Sequence, residues 1–112
     1  MFTDVFGYSK MVGKDEKHAL KLLDEHNEII IKSMEIHHGS IIKFIGDAVF
    51  AEFNQTKDAA HCAIDIQKHF IQRNKIHAKN DRIHVRIGLH MGDLVVKGDD
   101  LFGNTVNLGS RI

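Results

Sequence analysis

The chain has 112 residues, of which 43% are hydrophobic and 27% charged, with 15 acidic and 15 basic side chains. This length suits one compact domain, and the composition is that of a folded globular protein. Because the charges cancel, no overall field favours nucleic acid or an anionic membrane as a partner. No apolar run is long enough to span a membrane. The single cysteine, Cys62, favours a buried thiol in a reducing, cytoplasmic setting.

A strand and a long helix are predicted at the start of the chain. The apolar stretch around Phe2 and Asp4 is typical of the end of a buried strand, and Gly7 marks a turn into helix-compatible sequence. From about Asp15, the spacing predicts a helix of roughly twenty residues that ends at a C-cap formed by Gly39. Its apolar residues recur at helical intervals: Leu20, Leu23, Ile30 and Met34.

A hairpin and a second helix follow. The segment from Ser40 to Phe53 is rich in isoleucine, valine and phenylalanine and is interrupted only by Gly46-Asp47, which predicts two strands joined by a tight turn. Thr56 is a candidate N-cap for a helix that fades near Asn74. One face of that helix carries Ala59, Ala60, Ala63, Ile66 and Phe70.

The clearest strand lies between Ile83 and Met91, where apolar side chains alternate strictly with other residues. A short apolar segment at 94–96 leads to a charged turn, and a last helix is expected from Asn104 onward. The order of elements predicts the α+β class: a ferredoxin-like split βαβ core (βαββαβ), with an antiparallel sheet and helices on one face. We expect residues 1–112 to be one domain and a fragment, lacking the start of the first strand and the C-terminal strands.

Two carboxylates stand at the ends of predicted strands, Asp4 after the first strand and Asp47 at the tip of the hairpin. The topology makes these strands neighbours, and two converging carboxylates suit Mg²⁺ or Mn²⁺, which keep phosphate oxygens and waters as further ligands. Spacing alone supports equally the alternative that Asp47 serves only the turn and Asp4 is an edge residue. Gly7-Tyr8-Ser9 adds a glycine bend at a possible helix N-terminus, where backbone amides and a hydroxyl can bind phosphate.

Four segments of the chain resemble the signature blocks of the class III adenylate and guanylate cyclases. Together they span nearly the whole chain in the family's order and spacing, and four blocks in register are far more specific than one. The blocks are Phe2 to Ser9 (FTDVFGYS), Ile41 to Asp47 (IIKFIGD), Val85 to Gly92 (VRIGLHMG) and Asp100 to Arg111 (DLFGNTVNLGSR).

The resemblance implies a site for two Mg²⁺ or Mn²⁺ ions. Asp4, Asp47 and the backbone carbonyl of Val5 would be the metal ligands, and Gly7, Tyr8 and Ser9 would lie near the triphosphate of the substrate. The reaction implied is attack of the ribose 3′-hydroxyl on the α-phosphate, with pyrophosphate as the leaving group.

The resemblance also implies a base-selecting pair, Lys43 and Asp100, and two catalytic residues. Asp100 could accept a hydrogen bond from the adenine amino group and Lys43 could donate to a ring nitrogen, which makes ATP the implied substrate. Asn107 would position the ribose, and Arg111, four residues later on the same helical face, would offset charge on the reacting phosphate. Without the resemblance, the pattern favours Lys43 as a solvated lysine at a strand end. Asn107 and Arg111 are then as readily an asparagine near a helix N-terminus and a surface arginine.

The family's site lies between two catalytic domains, one supplying the metal ligands and the other the base-selecting and transition-state residues. Because this chain carries both sets, a homodimer with two equivalent sites is implied. The implied activity is a cytoplasmic adenylate cyclase, a lyase of signal transduction that forms cyclic AMP, with regulatory domains in the parent protein. The family's further phosphate-binding lysine lies beyond the equivalent of Arg111.

Two other functions stay open. A cyclase-like domain could bind nucleotide or a partner without catalysis, as a regulatory module, although the full set of site residues argues against it. A diguanylate-cyclase-like enzyme would have a related topology, but the hairpin reads Ile45-Gly46-Asp47-Ala48-Val49 and lacks that family's Gly-Gly-Asp-Glu-Phe signature. The nine histidines show no spacing of the kind that zinc sites need.

Overall fold

The structure is a computed structural model that describes residues 1–90 and, beyond them, the backbone of two short strands. Four strands form one antiparallel sheet in the order β2-β3-β1-β4, and β5 pairs with β6. The elements in chain order are β1 (Phe2–Val5), α1 (Tyr8–Lys14), α2 (Glu16–Ile36), β2 (Ser40–Ile45), β3 (Ala48–Glu52), α3 (Thr56–Lys75), a 3₁₀ helix (Lys79–Asp81), β4 (Val85–Gly88), β5 (Val95–Lys97) and β6 (Asp100–Phe102). The predicted α+β class and ferredoxin-like core are confirmed.

The hydrophobic core lies between one face of this sheet and the helices α2 and α3. Strand residues alternate between the two faces, so Thr3 and Val5 point into the core while Phe2 and Asp4 point the other way. Removing these side chains from water is the main force that holds the helices on the sheet. The core includes Val5, Leu22, Ile30, Met34, Val49, Ala51, Cys62, Ile66, Phe70, Ile83 and Val85.

The face of the sheet opposite the core carries Asp4, and we call it the aspartate face. Residues paired across an antiparallel ladder point to the same side, and the register pairs Phe2 with Phe50 and Asp4 with Arg86. The rings of Phe2 and Phe50 lie 5.1 Å apart between centroids and give this face an apolar centre. The aspartate face therefore carries Phe2, Asp4, Lys43, Phe50 and Arg86.

The prediction that Gly39 forms the left-handed C-cap of the long helix is wrong. The helix ends at Ile36, and His38 is the residue with a positive φ, 63°. Gly39 has a packing role instead, because a β-carbon added to it would lie 2.7 Å from the ring of Phe53 on the neighbouring hairpin and 3.0 Å from the sulfur of Met34. A glycine that follows a helix can therefore allow two elements to approach closely, and need not be there for its backbone conformation.

Replacing Gly39 with alanine should lower the free energy of unfolding by about 1 to 3 kcal/mol, the usual cost of overpacking a filled site. Gly13→Ala is the matched control: Gly13 is helical in α1 and an added β-carbon meets nothing within 4 Å. That control should stabilise the chain by about 0.5 to 1 kcal/mol, since alanine loses less backbone entropy. Urea denaturation of both variants measures the difference, and equal effects would contradict the packing role.

Several other element boundaries differ from the sequence-based expectations. Gln55 and not Thr56 is the N-cap of α3, and no side chain caps that end. The last strand of the sheet ends at Gly88, before the alternating pattern does, and Leu89 is exposed. Leu20 lies on the exposed side of α2, whereas Ala19 faces the core. Strand β6 occupies a stretch for which only a charged turn was expected.

Cys62 is fully buried, as predicted, and burial raises the pKa of its thiol. In the part of the chain that the structure describes, no helix has the combined length and apolarity that crossing a membrane requires.

A polar network joins the end of α3 to α2 and to the segment before β4. Arg73 is only 8% exposed and forms an ion pair with Glu25 through Nε and Nη2, which lowers the pKa of the Glu25 carboxyl. Its Nη1 donates to the carbonyl oxygen of Asp81 at 2.8 Å. The next residue, Asn74, donates to the carbonyl of Ile83 at 2.7 Å and accepts from its N–H at 3.0 Å. These bonds fix the chain as it enters β4.

Candidate active site

The side chain of Asp47 is fixed beside β1 by the pairing of the sheet. Met1 and Ala51 exchange two backbone hydrogen bonds, of 2.7 and 2.9 Å. In an antiparallel ladder such pairs recur every second residue, so Val5 faces the turn residue Asp47. There the carboxylate replaces the backbone carbonyl: Asp47 Oδ2 accepts the N–H of Val5 at 2.9 Å. The predicted convergence of Asp47 on the end of the first strand is confirmed.

The turn that carries Asp47 depends on the preceding glycine. Ile45 and Ala48 are the last paired residues of the hairpin, which leaves a two-residue turn. Gly46 occupies the first turn position with a φ of 56°, a conformation that L side chains rarely adopt and that type II′ hairpin turns assign to glycine. Gly46 therefore sets the direction from which Asp47 reaches β1.

Asp4 forms an ion pair with Arg86, a residue that was not among the site residues predicted from the sequence. Arg86 lies directly across the ladder on β4 and donates from Nε to Oδ1 at 2.7 Å and from Nη2 to Oδ2 at 2.6 Å. The Arg86 guanidinium carbon also lies 5.8 Å from the centre of the Phe6 ring. The sequence holds one signal for this residue: Arg86 is the basic member of the alternating strand within a block that resembles the cyclases.

Gly7, Tyr8 and Ser9 form the entry to α1 beside this site. Gly7 is the N-cap, with a φ of 73°, and α1 begins at Tyr8. The Tyr8 ring packs against the core, and burial raises the pKa of its hydroxyl, with a smaller contribution from the negative charge of Asp47. Ser9 is exposed. The predicted phosphate-contacting segment thus adjoins the hairpin tip.

Lys43 lies on the aspartate face because of the register that the hairpin turn sets. From the turn, Ile45 pairs with Ala48, Phe44 with Val49 and Lys43 with Phe50 without interruption. The side chain of Lys43 therefore points to the same side as that of Phe50, which is the sheet face that bears Asp4. A β-bulge follows only beyond this point, between Lys43 and Ile41, which pairs with Ala51.

The other predicted residues lie partly or wholly outside the described residues. Asp100 is placed by its backbone alone, in β6, where it pairs with Lys97. Asn107 and Arg111 are outside the described residues. Their assignments as base-selecting and catalytic residues stay predictions.

The described donors fit a divalent cation that is only partly bound by protein. Within residues 1–90, no three histidine, cysteine, aspartate or glutamate side chains come together as a metal cage. Asp4 and Asp47 instead bring two carboxylates to the end of β1, next to the Val5 backbone. Mg²⁺ typically takes one or two carboxylates and completes its octahedron with water and substrate phosphates. The donor set suits that mode of binding.

Comparison with known proteins agrees with this geometry. The chain matches the family model for the adenylate and guanylate cyclase catalytic domain over residues 1–112. It is 35% identical over 111 residues to a Rhizobium meliloti protein provisionally named adenylate cyclase 3; the match covers 97% of this chain and 19% of that protein.

Two solved structures show the same fold. An adenylate/guanylate cyclase/hydrolase from Silicibacter pomeroyi superposes with a TM-score of 0.80 at 34% identity, over 97% of this chain and 63% of that one. A bacterial light-regulated adenylyl cyclase gives a TM-score of 0.82 at 26% identity, over 98% of this chain and 37% of that one.

The chain belongs to the family of adenylate and guanylate cyclase catalytic domains. It spans only 19% and 20% of the length of two Rhizobium meliloti relatives that carry the name adenylate cyclase.

Proposed function

We propose that the chain is the catalytic core of an adenylate cyclase, which converts ATP to 3′,5′-cyclic AMP and pyrophosphate with two Mg²⁺ or Mn²⁺ ions. The observation that supports this most is the bond between the Asp47 carboxylate and the Val5 N–H, because it brings a second carboxylate beside Asp4. Asp4, Asp47 and the Val5 carbonyl would hold the ions. Bound there, the ions would lower the pKa of the attacking 3′-hydroxyl and offset charge on the polyphosphate.

The residues around this pair have separate tasks in the proposal. Gly7, Tyr8 and Ser9 orient the triphosphate from the start of α1, next to the hairpin tip. From the partner subunit's copy of this chain, Asn107 positions the ribose and Arg111 stabilises negative charge on the reacting phosphate. Asn107 and Arg111 come from a partner subunit because the family's site lies between two catalytic domains.

Adenine selection is assigned to Lys43 and Asp100. The pairing of Lys43 with Phe50 supports this assignment, since it places the lysine on the aspartate face. An ammonium group donates to an adenine ring nitrogen, and a carboxylate accepts from the exocyclic amino group. Guanine presents the opposite hydrogen-bonding pattern at its six-position, so the same pair disfavours GTP.

A homodimer completes the proposed site. Exposed apolar side chains next to the site support a docking surface: Phe6 follows β1, and Phe44 and Ile45 end β2. Because each chain carries both residue sets, two-fold pairing produces two equivalent sites. We place this domain in the cytoplasm, within a parent protein that carries regulatory domains.

The experiment that tests the function is incubation of the parent protein and of this chain with ATP or GTP, each with Mg²⁺ or Mn²⁺, followed by identification of the products. Cyclic AMP formed from ATP is the expected result. Nucleotide binding without product would favour the regulatory module instead. Cyclic GMP as the main product would overturn the roles given to Lys43 and Asp100.

A further inference from the structure

We propose that His26 makes the helical side of the domain sensitive to acid: the fold admits only the neutral imidazole, and a second proton on the ring releases α2 from the sheet. His26 lies near the middle of α2. Of the nine histidines, all of which the structure describes, His26 alone is fully buried. This sensitivity belongs to the stability of the domain and does not depend on the proposed cyclase activity.

The contacts of the ring determine which of its nitrogens carries the proton. Nδ1 lies 2.9 Å from Oδ1 of the Asn27 side chain. An amide oxygen can only accept a hydrogen bond, so Nδ1 carries the proton and Nε2 is bare in the neutral ring. Nε2 is buried and has no hydrogen-bond partner among the residues that the structure describes. The ring itself stacks on Phe70 of α3, with 5.7 Å between the ring centroids.

A second proton is strongly disfavoured in this environment. Protonation turns Nε2 into a charged donor, and a buried charge without a hydrogen-bond partner is costly. Burial accordingly lowers the pKa of the His26 imidazole below its ordinary value. The bond to Asn27 and the negative charges of Asp47 and Asp4, at the hairpin turn and on β1, act in the opposite direction with smaller effects. From α3, the uncharged Phe70 faces the ring.

Folding is therefore linked to the protonation of His26. A histidine in the unfolded chain takes up a proton near about pH 6.5, whereas the folded domain does so only at a lower pH. The stability that the neutral ring contributes is fully present above that pH and is lost as the pH falls below it. Between about pH 7.5 and 5.5, a ring that stays neutral in the folded chain lowers the folding equilibrium constant about tenfold.

The element that a charged His26 displaces is α2. The ring can reach water only if this helix leaves the sheet, because Leu22 and Ile30 on the same buried side of α2 belong to the hydrophobic core. Release of α2 uncovers the core side of β1, the strand that carries Asp4. Acid therefore acts on the candidate site from the side of the sheet opposite the aspartate face.

The first test is urea denaturation of the unchanged chain and of His26→Gln at about pH 7.5 and 5.5. Glutamine keeps an amide group that can donate to Asn27, but it takes up no proton in this range. Between the two pH values, the folding equilibrium constant of the unchanged chain should fall about tenfold more than that of the variant. An equal fall in both proteins would overturn the proposal.

Two control variants separate the burial of His26 from its ability to titrate. His61→Gln removes an exposed histidine from α3. Thr3→Val removes a hydroxyl that is buried in the core without a partner among the described residues but does not titrate. Each control should keep the pH-dependent loss of the unchanged chain. If either behaved like His26→Gln, the loss would not come from the buried ring, and the proposal would be wrong.

The second test uses the unchanged chain alone, so it does not depend on whether a variant folds. The backbone amides of α2 should lose about tenfold in hydrogen-exchange protection between about pH 7.5 and 5.5, after correction for the intrinsic exchange rate at each pH. This loss is expected because the release of α2 exposes its amides to water. Protection of α2 that stays constant or increases over this range would contradict the proposal.

Discussion

Replacing Asp47 with asparagine should abolish cyclic AMP formation in a parent protein that carries it out, while the domain stays folded. Asparagine has nearly the same shape, and its side-chain oxygen can still accept the N–H of Val5, so the hairpin tip keeps its bond to β1. What is lost is the negative charge that a divalent cation needs. We expect activity to fall by at least about a hundredfold, more than the loss of an outer partner of a metal ligand costs.

Glu28→Gln is the control for that change. Glu28 is exposed on α2, on the helical side of the sheet, and its replacement removes the same charge at a distance from Asp4. The control variant should retain full activity. Cyclic AMP production and thermal unfolding should be measured on both proteins, and an undiminished rate in Asp47→Asn would refute the metal-binding assignment.

Replacing Arg73 with alanine should lower the free energy of unfolding by about 2 to 4 kcal/mol. The buried guanidinium bonds to Glu25 on α2, to the Asp81 carbonyl and to Asn74. Alanine leaves that carbonyl without its charged donor and opens a cavity between the two helices. The cost stays below that of a fully buried ion pair because the Glu25 side chain is 42% exposed and regains water.

Arg82→Ala provides the comparison. Arg82 is exposed and makes one hydrogen bond, of 3.2 Å, to the His77 carbonyl, so its loss should cost less than about 0.5 kcal/mol. Arg73→Lys should fall between the two, since it keeps the charge but not the paired geometry. Urea denaturation gives all three values, and an Arg73→Ala variant as stable as Arg82→Ala would show that the network contributes little.

The local features of the fold were predictable from the sequence because short-range rules govern them. Gly46-Asp47 between two apolar runs is a strong hairpin signal, and the turn lies there. The apolar spacing of α2 predicted a helix of the observed length. The predicted order of these elements was enough to place Asp4 and Asp47 on neighbouring strands. That prediction required no knowledge of contacts between atoms.

The features that could not be predicted depend on contacts between distant parts of the chain. The pairing of Arg86 with Asp4 follows from the register of β1 against β4, which the pattern of either strand alone does not determine. The packing of Gly39 against Phe53 likewise joins the end of a helix to the far strand of the hairpin. The β-bulge between Ile41 and Lys43, which shifts the pairing of the hairpin by one residue, leaves no clear mark in the sequence.

The hydrogen bond from Val5 to Asp47 joins residues 42 positions apart, so the two carboxylates come together only after the central strands have paired. An unfolded chain offers a cation no such pair, and an ion that binds only the native state stabilises it by mass action. At a free concentration one hundred times the dissociation constant, that stabilisation is about 2.7 kcal/mol. The melting temperature of this domain should therefore rise with the concentration of divalent metal and fall when a chelator is added.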